Sequence, residues 1–234
     1  MAHRDGPFVF KKYVCSMMVT EVGEDKVSFH PLLRIAAKVV SYVFHPLFVP
    51  VYVGWFFIYV VRLFPQLADW DRTKLLISFT VNYTVLPLVT LLIAKGLGFI
   101  QSIYLKTQKD RIIPYVAAGI FYFWVWYVFK NQAFPKEIVM FSLAVFLASS
   151  IGLILNSYMK ISMHAISAGV VMTLLVLLGL TSSANFGPYI SLGLLIGGAV
   201  CTARLLTADH YPVEVYAGLF TGVAAQLIAY FFVA

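Results

Sequence analysis

Residues 137–157 read EIVMFSLAVFLASSIGLILNS. A single glutamate opens a run that carries no further charge and is long enough, at roughly 20 helical residues, to cross the hydrocarbon core of a bilayer. The run has none of the polar–apolar alternation of a barrel strand. In lipid a backbone must satisfy its own hydrogen bonds, so this segment reads as a transmembrane helix. Six further apolar runs flank it, near 37–63, 74–95, 112–129, 163–181, 187–207 and 212–232. Pro46, Pro50 and Pro87 fall inside runs and are expected to kink them. The prolines of the first run leave it either spanning or re-entrant, which gives about six to seven spans. The expected fold class is all-α, a polytopic transmembrane helical bundle.

Composition agrees with this reading. The 234 residues are 61% hydrophobic and 12% charged, with mean hydropathy +0.88. A soluble domain has roughly 25% charged residues, so this chain cannot cover itself with a water-facing surface. Its net charge of +7 is too dispersed for a nucleic-acid face and suits lipid headgroups or phosphate. Cys15 and Cys201 sit in a polar and an apolar segment, so no disulfide is expected, and neither has metal-ligand spacing. Residues 1–36 form a polar N-terminal leader, expected to lie on the membrane surface; residues 37–234 form the membrane domain. The aromatic run Phe121–Phe129 is expected to be an interfacial belt. Gly193 and Gly197, and Gly218 and Gly222, have small-xxx-small spacing for close helix packing, a face that also suits a homo-oligomer. His45, next to Pro46, reads as a packed, hydrogen-bonded histidine.

Three polar clusters interrupt the apolar pattern, all at span ends. They are Lys106, Lys109 and Arg111; Lys160, Ser162 and His164; and Arg204, His210 and Glu214. Two spans separate the first from the second, and two more separate the second from the third. An even number of crossings returns a chain to the same side, so all three clusters face one side of the membrane. Charge is costly in lipid, and clustered ionisable groups there point to a site.

The residue types define a chemistry. Pro212 suits the first turn of the last span, which leaves His210 just outside that helix and Glu214 one turn in. A bond from the His210 ring N–H to Glu214 would fix the tautomer and leave the other nitrogen as a nucleophile. Ser162 can cap the fifth span, whose free N–H groups favour an anion. His164 can give a proton to a leaving oxygen. Arg111 and Arg204 carry planar forks that match phosphate oxygens, and Lys106, Lys109 and Lys160 add point charges. Taken singly, these lysines read as interfacial anchors and Ser162 as a plain cap.

These motifs resemble the type-2 phosphatidic-acid phosphatase superfamily, which shares its site with vanadium haloperoxidases. The family pattern is Lys, six residues, Arg-Pro; then Pro-Ser-Gly-His; then Ser-Arg, five residues, His, three residues, Asp. The third motif fits best, as Arg204, five residues, His210, three residues, Glu214. Ser162 and His164 fit the second, with Ile161 and Met163 in place of proline and glycine. In the first, Pro114 falls three residues after Arg111 and Tyr104 stands where the lysine is expected. The resemblance covers about residues 104–232. It implies the fold of that superfamily and a metal-independent, cofactor-free phosphatase acting on a lipid phosphate or diphosphate: phosphatidate, a polyprenyl diphosphate or phosphatidylglycerol phosphate. It implies His210 as nucleophile, His164 as proton donor, and Arg111, Arg204, Ser162 and the lysines as phosphate ligands. The expected partners are the lipid substrate and membrane lipids, and the expected location is a bacterial inner membrane. The alternative expectation is a non-catalytic lipid-phosphate binding or transport protein that keeps a degraded site.

Overall fold

Proline placement sets where most of the helices begin. Pro31, with its fixed φ and missing N–H, opens α1 (Pro31–Val43). A computed structural model describes residues 30–100, 108–207 and 209–233; among them all regular structure is helical. After α1 come α2 (Val49–Val60), α3 (Asp69–Gly96) and α4 (Gln108–Asn131). Then follow α5 (Lys136–Asn156), α6 (Met163–Thr181), α7 (Gly187–Leu206) and α8 (Pro212–Val233). Helices α3 to α8 are the six long and apolar enough to cross a membrane. The protein is a multi-pass helical membrane protein. Pro31–Ala234 pack as one compact unit. The expected leader falls, up to residue 29, outside the described residues, and its last residues belong to α1.

The first apolar run, 37–63, is not one helix. It breaks at His45–Phe48. Pro46 donates no hydrogen bond and disfavours helical geometry at His45 before it; the chain turns there, with Phe48 N–H on His45 O at 2.8 Å. Pro50 then sits in the first turn of α2. That helix spans only about 18 Å at 1.5 Å per residue. The run still joins the two ends of the bundle. Ser41 lies against His164 at the start of α6, whereas Phe64 packs on Phe134 in the α4–α5 turn at the opposite end.

In α3 the kink expected at Pro87 is taken up by a wider turn. Residues Val81–Val85 form a π-helical segment, and Leu86 N–H reaches back to Val81 O. This shifts the hydrogen-bond register just before a residue that can neither donate nor tolerate a close carbonyl. Helix α5 is the central one, with 56% of its apolar window buried against 22% for α3, α4 and α7. Large side chains such as Leu180, Leu195 and Phe231 face outward, as lipid contact requires. Helix α1 buries only Ala37 and Ser41, against α7, and turns Leu32, Ile35 and Val39 outward.

The aromatic run is not simply a belt. Tyr122, Val125 and Phe129 recur on one helical face and are buried; Tyr122 packs on Tyr83, and Phe129 stacks on Phe79 and Phe134. Only Phe123, Trp124 and Tyr127 face outward. The glycine pairs are filled within the chain. A methyl on Gly193 or Gly197 would strike Leu175 or Met172, and one on Gly218 would lie 2.7 Å from Ser162 O. Gly169 and Gly222 likewise let the α6 and α8 backbones touch, at Leu219 O and Ile166 O. This crossing seats α8 on the first turns of α6, where two of the polar clusters meet.

Candidate functional site

The start of α4, the end of α5, the start of α6, the end of α7 and the start of α8 come together at one end of the bundle. The three polar clusters therefore share a face. Asn156 Nδ2 donates to Gln108 O at 2.9 Å and ties the end of α5 to the start of α4. One turn into α4, the buried Arg111 donates from Nη1 to Ile161 O at 2.9 Å. Its partner carbonyl immediately precedes Ser162, so a helix start fifty residues away is pinned by this guanidinium. Pro114 lies inside α4, as the run 112–129 places it, but the helix begins four residues earlier than that run, at Gln108. Lys106 lies outside the described residues, as does the side chain of Lys109.

Ser162 is the N-cap of α6, its Oγ accepting from Ala165 N–H at 3.5 Å. It is fully buried, and its own N–H donates to Glu214 O at 3.2 Å. This places Ser162 as the joint between α6 and α8.

His210 is held as its spacing suggests. Its Nδ1 lies 2.9 Å from Glu214 Oε2 and 3.0 Å from Lys160 O. Both partners are acceptors, so Nδ1 carries the proton and Nε2 keeps the lone pair. Glu214 also accepts from Tyr211 N–H at 3.2 Å. Burial holds His210 below the ordinary imidazole range; the bond to Glu214 opposes this, and Arg204 and Arg111 add to it. The neutral imidazole, the form a nucleophile needs, is thereby favoured. Burial and Arg111 also push Lys160 down, with Glu214 and Asp209 opposing.

Arg204 is 11% exposed and donates from Nη2 to Asp209 Oδ2 at 2.9 Å. Its Nη1 donates to Ser41 Oγ at 3.3 Å. Its Nε is buried and has no hydrogen-bond partner among the described residues. A buried guanidinium N–H left unpaired costs roughly 1–3 kcal/mol or more, which an added oxygen ligand would recover. Lys160 Nζ donates to Asp209 O at 3.1 Å. Asp209 thus binds two of the cations, a role its place beside His210 did not reveal.

His164, on the first turn of α6, donates from Nε2 to Ser41 O at 3.0 Å. Its ring meets that of His45 edge to face, with centroids 5.2 Å apart and planes at 89°. The two expected catalytic histidines are therefore fixed in opposite tautomers, His210 protonated on Nδ1 and His164 on Nε2.

Two apolar cavities adjoin this end. One, of about 170 Å³, is bordered by His45, Pro46, Pro114, Tyr115, Met163 and Ile166. The other, of about 180 Å³, is bordered by His164, Tyr52, Phe56, Tyr189 and Gly193. Arg111, Arg204 and His210 line neither; among the described residues of the three clusters His164 borders one cavity, and its ring neighbour His45 borders the other. Among the described residues no group of three His, Cys, Asp or Glu could hold a metal ion. No family model, curated protein or solved structure matches the chain.

Proposed function

We propose that the protein is an integral membrane phosphatase acting on a lipid phosphate or diphosphate, with the fold and site order of the type-2 phosphatidic-acid phosphatases. The observation that carries this reading is the His210–Glu214 pair, set beside Arg111, Lys160 and Arg204 and drawn from four separate helix ends. A histidine fixed by a carboxylate at Nδ1 presents Nε2 as a nucleophile, and fixed cations stabilise the charge of a transferring phosphoryl group. Apolar cavities next to His164 suit the tail of an amphiphile whose headgroup reaches the cations. A bacterial inner membrane is the proposed location.

His210 Nε2 attacks phosphorus, forming the P–N bond as the P–O bond to the leaving group breaks. Protonated His164 gives one proton to the leaving oxygen. The negative charge of the bound phosphate favours that imidazolium. His164, now neutral, takes a proton from water as the oxygen attacks the phosphohistidine. The P–N bond then breaks, phosphate leaves and His210 is regenerated. Metal is not required for any of these steps.

The second reading, a non-catalytic lipid-phosphate binder, is favoured by Met163 in the second motif and by the poor match of the first. Asp209 already sits on Arg204 at 2.9 Å, where a phosphate oxygen would compete. Phosphate release from a panel of lipid phosphates and polyprenyl diphosphates, in EDTA, separates the readings. Wild type is expected to turn over, His210→Ala to lose turnover, and Asp209→Asn to bind inorganic phosphate about two- to fivefold more tightly. Wild-type protein inert on every substrate, yet binding lipid phosphate, would establish the binder and refute the phosphatase.

A further inference from the structure

The contacts of α1 and of the break behind it reach into the site from outside the three clusters. Ser41 is 8% exposed and spans a long sequence distance twice. Its carbonyl accepts from His164 Nε2 at 3.0 Å, and its hydroxyl accepts from Arg204 Nη1 at 3.3 Å. One residue therefore orients both the expected proton donor and an expected phosphate ligand. Four residues on, the His45 ring closes against the His164 ring edge to face. Its own Nδ1 is occupied by Leu47 N–H at 3.3 Å, which fixes the ring on the turn that Pro46 creates. His45 also borders the cavity that runs to Pro114 and Tyr115.

We infer that Ser41 and His45 are positioning residues of the site: Ser41 orients the Arg204 fork and the His164 ring, and His45 braces that ring from the cavity side. The inference rests on the phosphatase reading. Its physical basis is that an arginine fork grips phosphate well only when its long side chain is held in one rotamer. A histidine transfers a proton well only when one ring nitrogen is fixed by a partner. Arg204 has Asp209 on one nitrogen, but Asp209 is 54% exposed on a turn; Ser41 supplies the buried second hold.

The test uses the full chain in lipid nanodiscs with inorganic vanadate, a phosphate analogue that becomes five-coordinate when a nucleophile binds it, as the binding probe and phosphate release as the kinetic one. Ser41→Ala is expected to weaken vanadate binding and raise KM about three- to tenfold, with kcat little changed. Ser41→Thr, which keeps the hydroxyl, should restore both. His45→Ala is expected to lower kcat about two- to tenfold at constant KM, and His45→Phe, which keeps the ring, to recover it. Vanadate affinity and KM unchanged in Ser41→Ala would overturn the Ser41 assignment, as would equal losses in Ala and Thr. A Ser41→Ala chain that fails to fold leaves the decision to the His45 pair, where equal kcat in Ala and wild type, or equal losses in Ala and Phe, overturns it. Wild-type protein that neither binds vanadate nor releases phosphate would instead refute the phosphatase reading, and this inference with it. Wild type that binds vanadate without turnover leaves the Ser41 binding comparison as the deciding result.

Discussion

Glu214→Gln isolates a single charge at the centre of the site. The His210 ring is 2% exposed and Glu214 is 15% exposed, so the 2.9 Å bond between them is little screened by water. Hydrogen bonds to a charged partner contribute roughly 1.5–3 kcal/mol and neutral ones roughly 0.5–1.5 kcal/mol. The amide oxygen of glutamine can still accept from Nδ1, so the loss is the difference, about 1–1.5 kcal/mol. That corresponds to about a tenfold fall in the step that places positive charge on His210. Glu214 raises the His210 titration against the effect of burial, so its neutralisation moves that titration to lower pH. The stability consequence has a definite sign. A histidine held below its ordinary range contributes fully above that range and loses its contribution as pH falls through it. Glu214→Gln should therefore unfold more steeply on acidification below about pH 6.5. The assay is an NMR titration of the histidine rings, run beside kcat/KM against pH. A His210 titration that stays in place or moves upward in Glu214→Gln would refute the reasoning, whether or not the protein is an enzyme.

Two further predictions concern the scaffold. Gly222→Ala places a methyl against Ile166 O at the α6–α8 crossing; overpacking of about 1–3 kcal/mol should lower Tm by several degrees, whereas Gly119→Ala, with open space around it, should not, and equal Tm values in both would refute the close crossing. Single cysteines in a Cys15→Ser, Cys201→Ser background should label from one membrane face at Gln66 and Asn131 and from the opposite face at Tyr158 and Asp209; labelling of Gln66 and Asp209 from the same face would refute the path drawn for residues 41–69.

The helices themselves were legible. Each of the runs from 74–95 onward has an apolar stretch that only a membrane-crossing helix accommodates, and the even spacing of clusters put them on one face before any packing was known. The bond between His210 and Glu214 was legible for the same reason, because Pro212 starts a helix and fixes their separation. The first run was not, since hydropathy counts apolar residues without asking whether two prolines four apart allow one helix. The aromatic run misled because tyrosine and tryptophan suit both a lipid interface and a protein core, and only the faces of the neighbouring helices decide between them.

Local sequence thus determined which segments cross, which residues cap or open them, and which ionisable groups stand at their ends, because these depend on hydrophobicity and on neighbours within one turn. Tertiary structure decided which of those groups meet. Ser41 carries no signal in a helix with exposed apolar residues around it, yet it touches residues 123 and 163 positions away. Asp209 looked like a loop residue until Arg204 and Lys160 closed on it. Such pairings are set by the crossing of helices at glycine contacts, which fix the distance between chain segments that sequence spacing leaves free.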